Sequence, residues 1–425
     1  MKALIIIFFT VVSLYSFWQF LRGKYKLAPL WLMLSAWFIA IAISELHLSS
    51  LEWVWPGKYW FLIFVSLASF ALGFFVFDKV WTKYPWWQKI KFFTQKNLSI
   101  NKLRIVIYGL VLVSLAALYM FYKRVGNFPI LATDPDAFRF AADTQVPGLI
   151  NYAAQLARVF VPLSFFAMFY QGFSWKKHWD MVAIAVLGAV CLSLFDSRTQ
   201  IFFIDLWIMG LYLLMRKPNL KQALKFYPFF LLVSILVLAA VPLIRQYRTY
   251  GQDYLGNITG VKIESNNKLE KALLPIYIGV SFNQQALLHA EVYYQTHPLQ
   301  YGRVALDPFT NLFGKIIKPL KNLKSSFDLS AIFYSWWNTG TYLFPFVQDF
   351  GTAAFYFIPF LIAGILTLSW HYWKTSPNFL SLNLYAYALF FIVMTVYLSF
   401  TVRAEMYIDI FLLLMIHWFV SRHES

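Results

Sequence analysis

The stretch MVAIAVLGAVCLSLFDSRTQIFFIDLWIMGLYLLM, Met181 to Met215, decides the fold. It holds two apolar runs, 181–195 and 199–215, parted only by Asp196-Ser197-Arg198. A helix needs about 20 apolar residues to cross the hydrocarbon, and a three-residue polar break reads as a tight hairpin at one membrane face. Backbone inside lipid must satisfy its own hydrogen bonds, so such runs are helical. Outward from this hairpin the pattern recurs, and spans are predicted at 3–21, 28–46, 59–77, 104–122, 150–170, 226–244, 350–370, 379–400 and 404–420. With the hairpin pair that makes eleven. The expected fold class is all-α: a polytopic membrane helix bundle of about eleven transmembrane helices, forming one integral membrane domain over residues 1–425.

Composition agrees. The chain is 60% apolar, 21% aromatic and only 13% charged, with a mean hydropathy of +0.59. Soluble domains carry roughly twice that charge, so a soluble enzyme, a secreted disulfide scaffold and a disordered chain are excluded. The single Cys191 excludes an internal disulfide and a Cys-based metal site. After Met1-Lys2 the first apolar run reaches Leu21 and ends in the bulky Phe17-Trp18-Gln19-Phe20. That is not the small-residue pattern of a signal cleavage site, so an uncleaved anchor is expected.

The net charge of +17 reports loop placement rather than nucleic-acid binding. Arg22, Lys24 and Lys26 follow the first span; Lys79, Lys83, Lys89, Lys91, Lys96 and Lys102 lie in 78–103. Lys176 and Lys177 follow the fifth span, and Arg216, Lys217, Lys221 and Lys225 the seventh. Eleven alternating spans put these loops on one face. The positive-inside rule makes that face cytoplasmic, which places the N-terminus outside and the C-terminus inside. The other face then carries a medium loop, 123–149, and a long extracytoplasmic loop, 245–349. Within it, Leu269 to Tyr294 mixes apolar and polar residues around Pro275, which predicts an amphipathic helix lying on the bilayer as a lid.

Eight arginines, namely Arg124, Arg139, Arg158, Arg198, Arg245, Arg248, Arg303 and Arg403, fall outside or near the outer ends of spans, where positive-inside bias alone would deplete them. Guanidinium grips phosphate oxygens with a two-pronged fork that an ammonium lacks. The set therefore suggests a phosphate-bearing ligand at the outer boundary; taken singly, each is equally well a snorkelling side chain. Arg198 opens the seventh span with Asp205 two turns on, along the same face. That spacing suits an anion-binding Arg steadied by a carboxylate, and equally a structural ion pair. Arg245 and Arg248 share one helical face if the eighth helix continues, and Arg158, inside the fifth span, should look inward.

Asp134-Pro135-Asp136 contains a D-x-D pattern, but the flanking Thr133 and the Pro read as a turn, and no metal site is expected. No G-x-x-x-x-G-K-[ST] loop and no G-x-S-x-G elbow occurs. Lys315, Lys318, Lys321 and Lys324 suit anionic lipid headgroups, or more sharply an acidic glycan. Tyr334, Trp336, Trp337 and Tyr342 can stack on sugar rings or anchor the chain at the interface.

Phe195-Asp196-Ser197-Arg198-Thr199 resembles the Ser-Arg segment of the Wzy-type O-antigen polymerases, which join oligosaccharide repeat units. Asn338-Thr339-Gly340-Thr341-Tyr342-Leu343-Phe344-Pro345-Phe346-Val347-Gln348-Asp349-Phe350-Gly351 resembles the segment that closes their long outer loop, although Thr352-Ala353-Ala354 stands where a second Gly often follows. The likeness is clearest over 195–370. It implies a GT-C-like fold and an enzyme using undecaprenyl-pyrophosphate-linked glycans as donor and acceptor, with no cofactor, nucleotide or metal. Its setting would be the bacterial cytoplasmic (inner) membrane among membrane lipids, with a chain-length regulator protein as a further partner. On this reading Arg198, Arg245 and Arg248 hold the pyrophosphate, with Arg158 and Arg139 as secondary candidates. Asp349, Asp136 or His289 takes the proton of the attacking hydroxyl. An O-antigen ligase and a flippase for the lipid-linked sugar are the alternatives.

Overall fold

The computed structural model describes residues 2–134, 138, 141–142, 145–172, 174, 176–195, 198–216, 254–261, 268–313, 323, 325, 332–334 and 339–421. Among them the architecture is helical, with an isolated antiparallel bridge from Ser49 to Val261. In chain order the helices are α1 (Lys2–Arg22), α2 (Pro29–Ser44), α3 (Gly57–Lys83), α4 (Ile100–Val125), α5 (Gly148–Ala154), α6 (Ala157–Tyr170), α7 (Trp179–Leu194) and α8 (Arg198–Arg216). They continue as α9 (Tyr254–Thr259), α10 (Lys268–Tyr293), α11 (Arg303–Phe313), α12 (Phe344–Phe350), α13 (Ala354–Thr375), α14 (Phe379–Met394) and α15 (Ala404–Val420). Six helical stretches among the described residues are long and apolar enough to cross a membrane: Lys2–Arg22, Gly57–Lys89, Ile100–Val125, Gly148–Tyr170, Thr199–Arg216 and Phe344–Thr375. α2, α7 and α14 are shorter and equally apolar. The chain is a polytopic helical membrane protein. The expected eighth span, 226–244, lies outside the described residues.

Local chemistry sets the helix ends. Pro29 opens α2 at a position whose missing N–H would have no partner anyway. Ser99 accepts from the Lys102 N–H to start α4, and Gly126, at φ 73°, ends it. Asn378 and Ser381 cap α14 reciprocally. The broad α3–α13 interface depends on small residues: a Cβ at Gly73 would stand 2.6 Å from the Phe360 carbonyl oxygen. Close backbone approach is the usual way helices gain packing energy in lipid. Trp81 Nε1 donates to the Gly364 carbonyl across the same seam at 3.1 Å.

Loop contacts sort into two sets at opposite ends of α3, which at 27 residues is about 40 Å long. At one end Phe92, Phe93 and Trp87 meet His417, Asn378, Tyr372 and Thr375. At the other, residues 48–59 meet α9 and α10. Thus 84–99 packs with 375–378 and 417–421, and 46–58 with α9 and α10 of the long loop.

The span expected at 150–170 stands as the stretch Gly148–Tyr170, with a turn at Gln155-Leu156 between α5 and α6. Two expectations change. The span expected at 379–400 stops at Met394, because the polar Thr395, Ser399 and Thr401 are taken up by other groups. Tyr342 N–H donates to the Thr395 carbonyl (2.8 Å), Trp37 Nε1 to Thr395 Oγ1 (3.0 Å), and Ser399 Oγ to the Tyr342 carbonyl (3.4 Å). Trp37 lies in the middle of α2, so non-helical backbone from 341–342 and 395 sits deep in the bundle. It is tolerated there because protein, not lipid, surrounds it. Finally, α10 is no surface lid. It runs through Pro275 unbroken, and Ser281 to Leu288 are buried on every side.

Candidate functional site

The side chains that gather beyond the end of α3 come from three sequence-distant pieces: 48–59, α10, and the joint between α11 and α12. Glu52 organises the first two. Its carboxylate accepts from the Tyr277 hydroxyl, the Ser281 hydroxyl and the Ser49 N–H. Gln285 and Trp53 exchange a reciprocal pair of hydrogen bonds, each 3.0 Å, between amide and backbone. Lys58 pairs with Glu291 at 2.7 Å, and the Tyr59 hydroxyl donates to the Gln284 carbonyl at 3.0 Å. These bonds satisfy Ser281 and Gln285 on the buried α10, while the Gln284 side-chain amide has no partner among the described residues.

His289 sits on this scaffold. Its ring packs against Trp53 at 3.7 Å between centroids and against Phe333 at 4.9 Å. Burial between those rings pushes its pKa down to about 4, a backbone hydrogen bond with Ile332 opposing in part. The imidazole is therefore neutral at pH 7. Its Nε2 is buried with no partner among the described residues.

Asp349 is fully buried at the second junction. Its Oδ1 accepts the Val304 N–H at 3.1 Å and its Oδ2 the Ala305 N–H at 2.8 Å, so it caps the first turn of α11. Main-chain bonds from Gln300 N–H to the Gln348 carbonyl and from Tyr301 N–H to the Asp349 carbonyl complete the clamp. Gly351 follows at φ 59°, ψ −145°, a conformation open in practice only to glycine. The Asp-Phe-Gly triplet is thus a joint: the Asp ties down α11 and the Gly turns the chain into α13. Tyr342 is fully buried against Trp37, so the expectation that it stacks on a sugar is corrected. Tyr334 is partly exposed, its hydroxyl bonded to the Leu51 carbonyl at 3.3 Å.

Arg158 is buried, at 2% exposure, in a knot between α6 and α15. Its Nε meets Asp409 Oδ1 at 3.1 Å, and its guanidinium lies 4.3 Å from the Tyr152 ring centroid. Asp409 also accepts from the Tyr152 hydroxyl at 2.9 Å and the Tyr387 hydroxyl at 3.3 Å. One guanidinium nitrogen, Nη2, is buried with no partner among the described residues. Asp409 escaped the sequence reading; the available signal was an acid lodged in the apolar run of 404–420.

Arg198 begins α8, where the sequence reading puts it. Asp136, Arg139, Arg245 and Arg248 lie outside the described residues, as do Lys315, Lys318, Lys321, Lys324, Trp336 and Trp337. Comparison of the chain with protein families, with characterised proteins and with solved structures finds no match.

Proposed function

We propose that the chain is a metal-independent glycosyltransferase that joins undecaprenyl-pyrophosphate-linked repeat units into a surface polysaccharide. It acts at the outer face of the cytoplasmic membrane, as an eleven-span, GT-C-like bundle with its N-terminus outside and its C-terminus inside. The observation that carries this reading is the Asp349 joint. The stretch bearing the resemblance is the piece that fastens α11 to α12 at the bundle end, and that supports the reading. Arg198, Arg245 and Arg248, with Arg158 and Arg139 behind them, stabilise the charge growing on the departing pyrophosphate. The donor is already activated, so the step needs no nucleotide. The acceptor hydroxyl attacks the anomeric carbon, the bond to pyrophosphate breaks, and a neighbouring group takes the proton. His289, neutral and with its buried Nε2 unpartnered among the described residues, is one candidate for that task; Asp349 and Asp136 are the others.

Purified protein in vesicles with lipid-linked repeat units provides the test. A ladder of products supports polymerisation, and a single transferred chain indicates a ligase. Arg198→Ala or Arg245→Ala protein that inserts correctly and polymerises at the normal rate would overturn the assignment, as would loss of activity on chelation. The buried Arg158–Asp409 pair favours one second reading, a transporter, since intramembrane ion pairs often line substrate paths. Movement of the lipid-linked sugar across the vesicle membrane without new glycosidic bonds would establish it.

A further inference from the structure

A cleft has α14 as its floor and α13 and α15 as its walls, with Tyr387 of the Asp409 knot among its lining residues. Its volume is about 320 Å³. Ile362, Leu366, Ser369 and Tyr372 mark one stripe of α13 along it, Leu384, Ala388 and Phe391 the floor, and Met406 and Ile410 the far wall. From Ile362 to Tyr372 the stripe covers about 15 Å of helix, half of the roughly 30 Å hydrocarbon core, or one leaflet. The lining is almost wholly apolar, so water is a poor occupant.

Its end near Tyr372 is closed by Trp86, Trp87 and Phe93. Lys89 and Lys91 lie between these lining residues in sequence, and both are exposed. The segment 78–103 carries six lysines, and its one acid, Asp78, is already bonded to His371 at 2.8 Å. Trp86 is exposed beside the lysines, as an aromatic at headgroup depth would be.

An apolar slot one leaflet deep, bounded at one end by a segment that bears a row of cations, matches an anionic phospholipid and not a neutral one. We infer that this cleft is a specific site for an anionic glycerophospholipid of the leaflet facing 78–103: an acyl chain lies on α14, and the headgroup phosphate is held by Lys89 and Lys91. The site stands whether or not the chain is a polymerase.

Phosphatidylglycerol and phosphatidylcholine, titrated into delipidated protein and read by thermal unfolding and by lipid retained in native mass spectrometry, test it. Phosphatidylglycerol should raise the unfolding temperature more than phosphatidylcholine and be retained preferentially. Lys89→Gln/Lys91→Gln, at exposed positions that leave packing intact, should weaken phosphatidylglycerol binding roughly 25-fold, about fivefold for each lysine near the surface. Ala388→Trp should fill the floor and abolish retention of both lipids. Equal responses of the wild type to the two lipids would overturn the inference. So would an unchanged preference in the double Gln variant. Full retention by folded Ala388→Trp protein would also overturn it, since the cleft would then not be the seat, as when another stretch of chain or a second copy covers it.

Discussion

Replacing Asp349 separates its two possible roles. As a cap it accepts one N–H from a buried residue, Val304, and one from the half-buried Ala305. Asp349→Ala strands both donors. A lost cap costs about 0.5–2 kcal/mol and a stranded buried donor about 1–3 kcal/mol, so about 3 kcal/mol is expected in all. Asn keeps one acceptor oxygen but turns its NH2 toward the other N–H, so Asp349→Asn should lose about 1–2 kcal/mol, less than Asp349→Ala. A general base behaves differently: the amide cannot take a proton, and its loss lowers rate by about 10²–10⁴. The two variants should be compared by thermal unfolding in detergent and by repeat-unit polymerisation in vesicles. The cap account expects Ala to be markedly unstable, and Asn to lie between Ala and wild type in stability and to be active within about tenfold. An Asn variant that unfolds like the wild type yet loses polymerisation a hundredfold would refute that account and make Asp349 the base.

Three further outcomes follow from the geometry. Gly351→Ala should destabilise by about 1–3 kcal/mol because alanine cannot hold φ 59°, ψ −145°, whereas Gly109→Ala, in open space on α4, should be neutral or slightly stabilising; thermal unfolding compares them. Asp409→Asn or Arg158→Met should each cost about 3–5 kcal/mol by leaving one buried charge alone, and the apolar double variant Arg158→Met/Asp409→Leu should recover much of the folded yield, as read by size-exclusion profiles of solubilised protein. His289, with its folded pKa pushed down to about 4 from an ordinary 6.5, binds fewer protons folded than unfolded in that window; stability is therefore complete above pH 6.5 and lost as pH falls toward 4, and His289→Gln should flatten that slope in unfolding temperatures measured from pH 7 to 4.5.

Helix placement was legible from hydropathy because lipid leaves the backbone few alternatives. The start of α8 at Arg198 follows from that rule. The amphipathic reading of 269–294 failed for a tertiary reason: Ser281 and Gln285 look solvent-facing until Glu52 and Trp53, more than 200 residues earlier, arrive as partners. The early stop of α14 has the same origin, since Thr395 is held by Trp37 and Tyr342. Asp349 was visible as a residue of interest, but its task depends on where α11 begins, a matter of packing that no local pattern records.

The carboxylates that surround this end of the bundle bear on which group can take a proton. Glu52 is held by Tyr277, Ser281 and Ser49; Glu291 by Lys58 and Gln295. Asp307 accepts from the Ser325 hydroxyl and N–H, Asp349 from α11, and Asp409 from Arg158 and two tyrosines. Each is engaged in holding two elements together, and protonating it would loosen that junction. His289 differs: it is neutral, it is fixed by two aromatic rings, and one nitrogen is unoccupied. A weak base suffices when the leaving group is a pyrophosphate, because bond breaking at the anomeric carbon then runs ahead of attack and the hydroxyl sheds its proton late. With a pKa near 4, His289 is no stronger a base than an ordinary carboxylate, so basicity does not separate it from Asp349; what separates them is that Asp349 is tied to α11 while no described group holds the His289 Nε2.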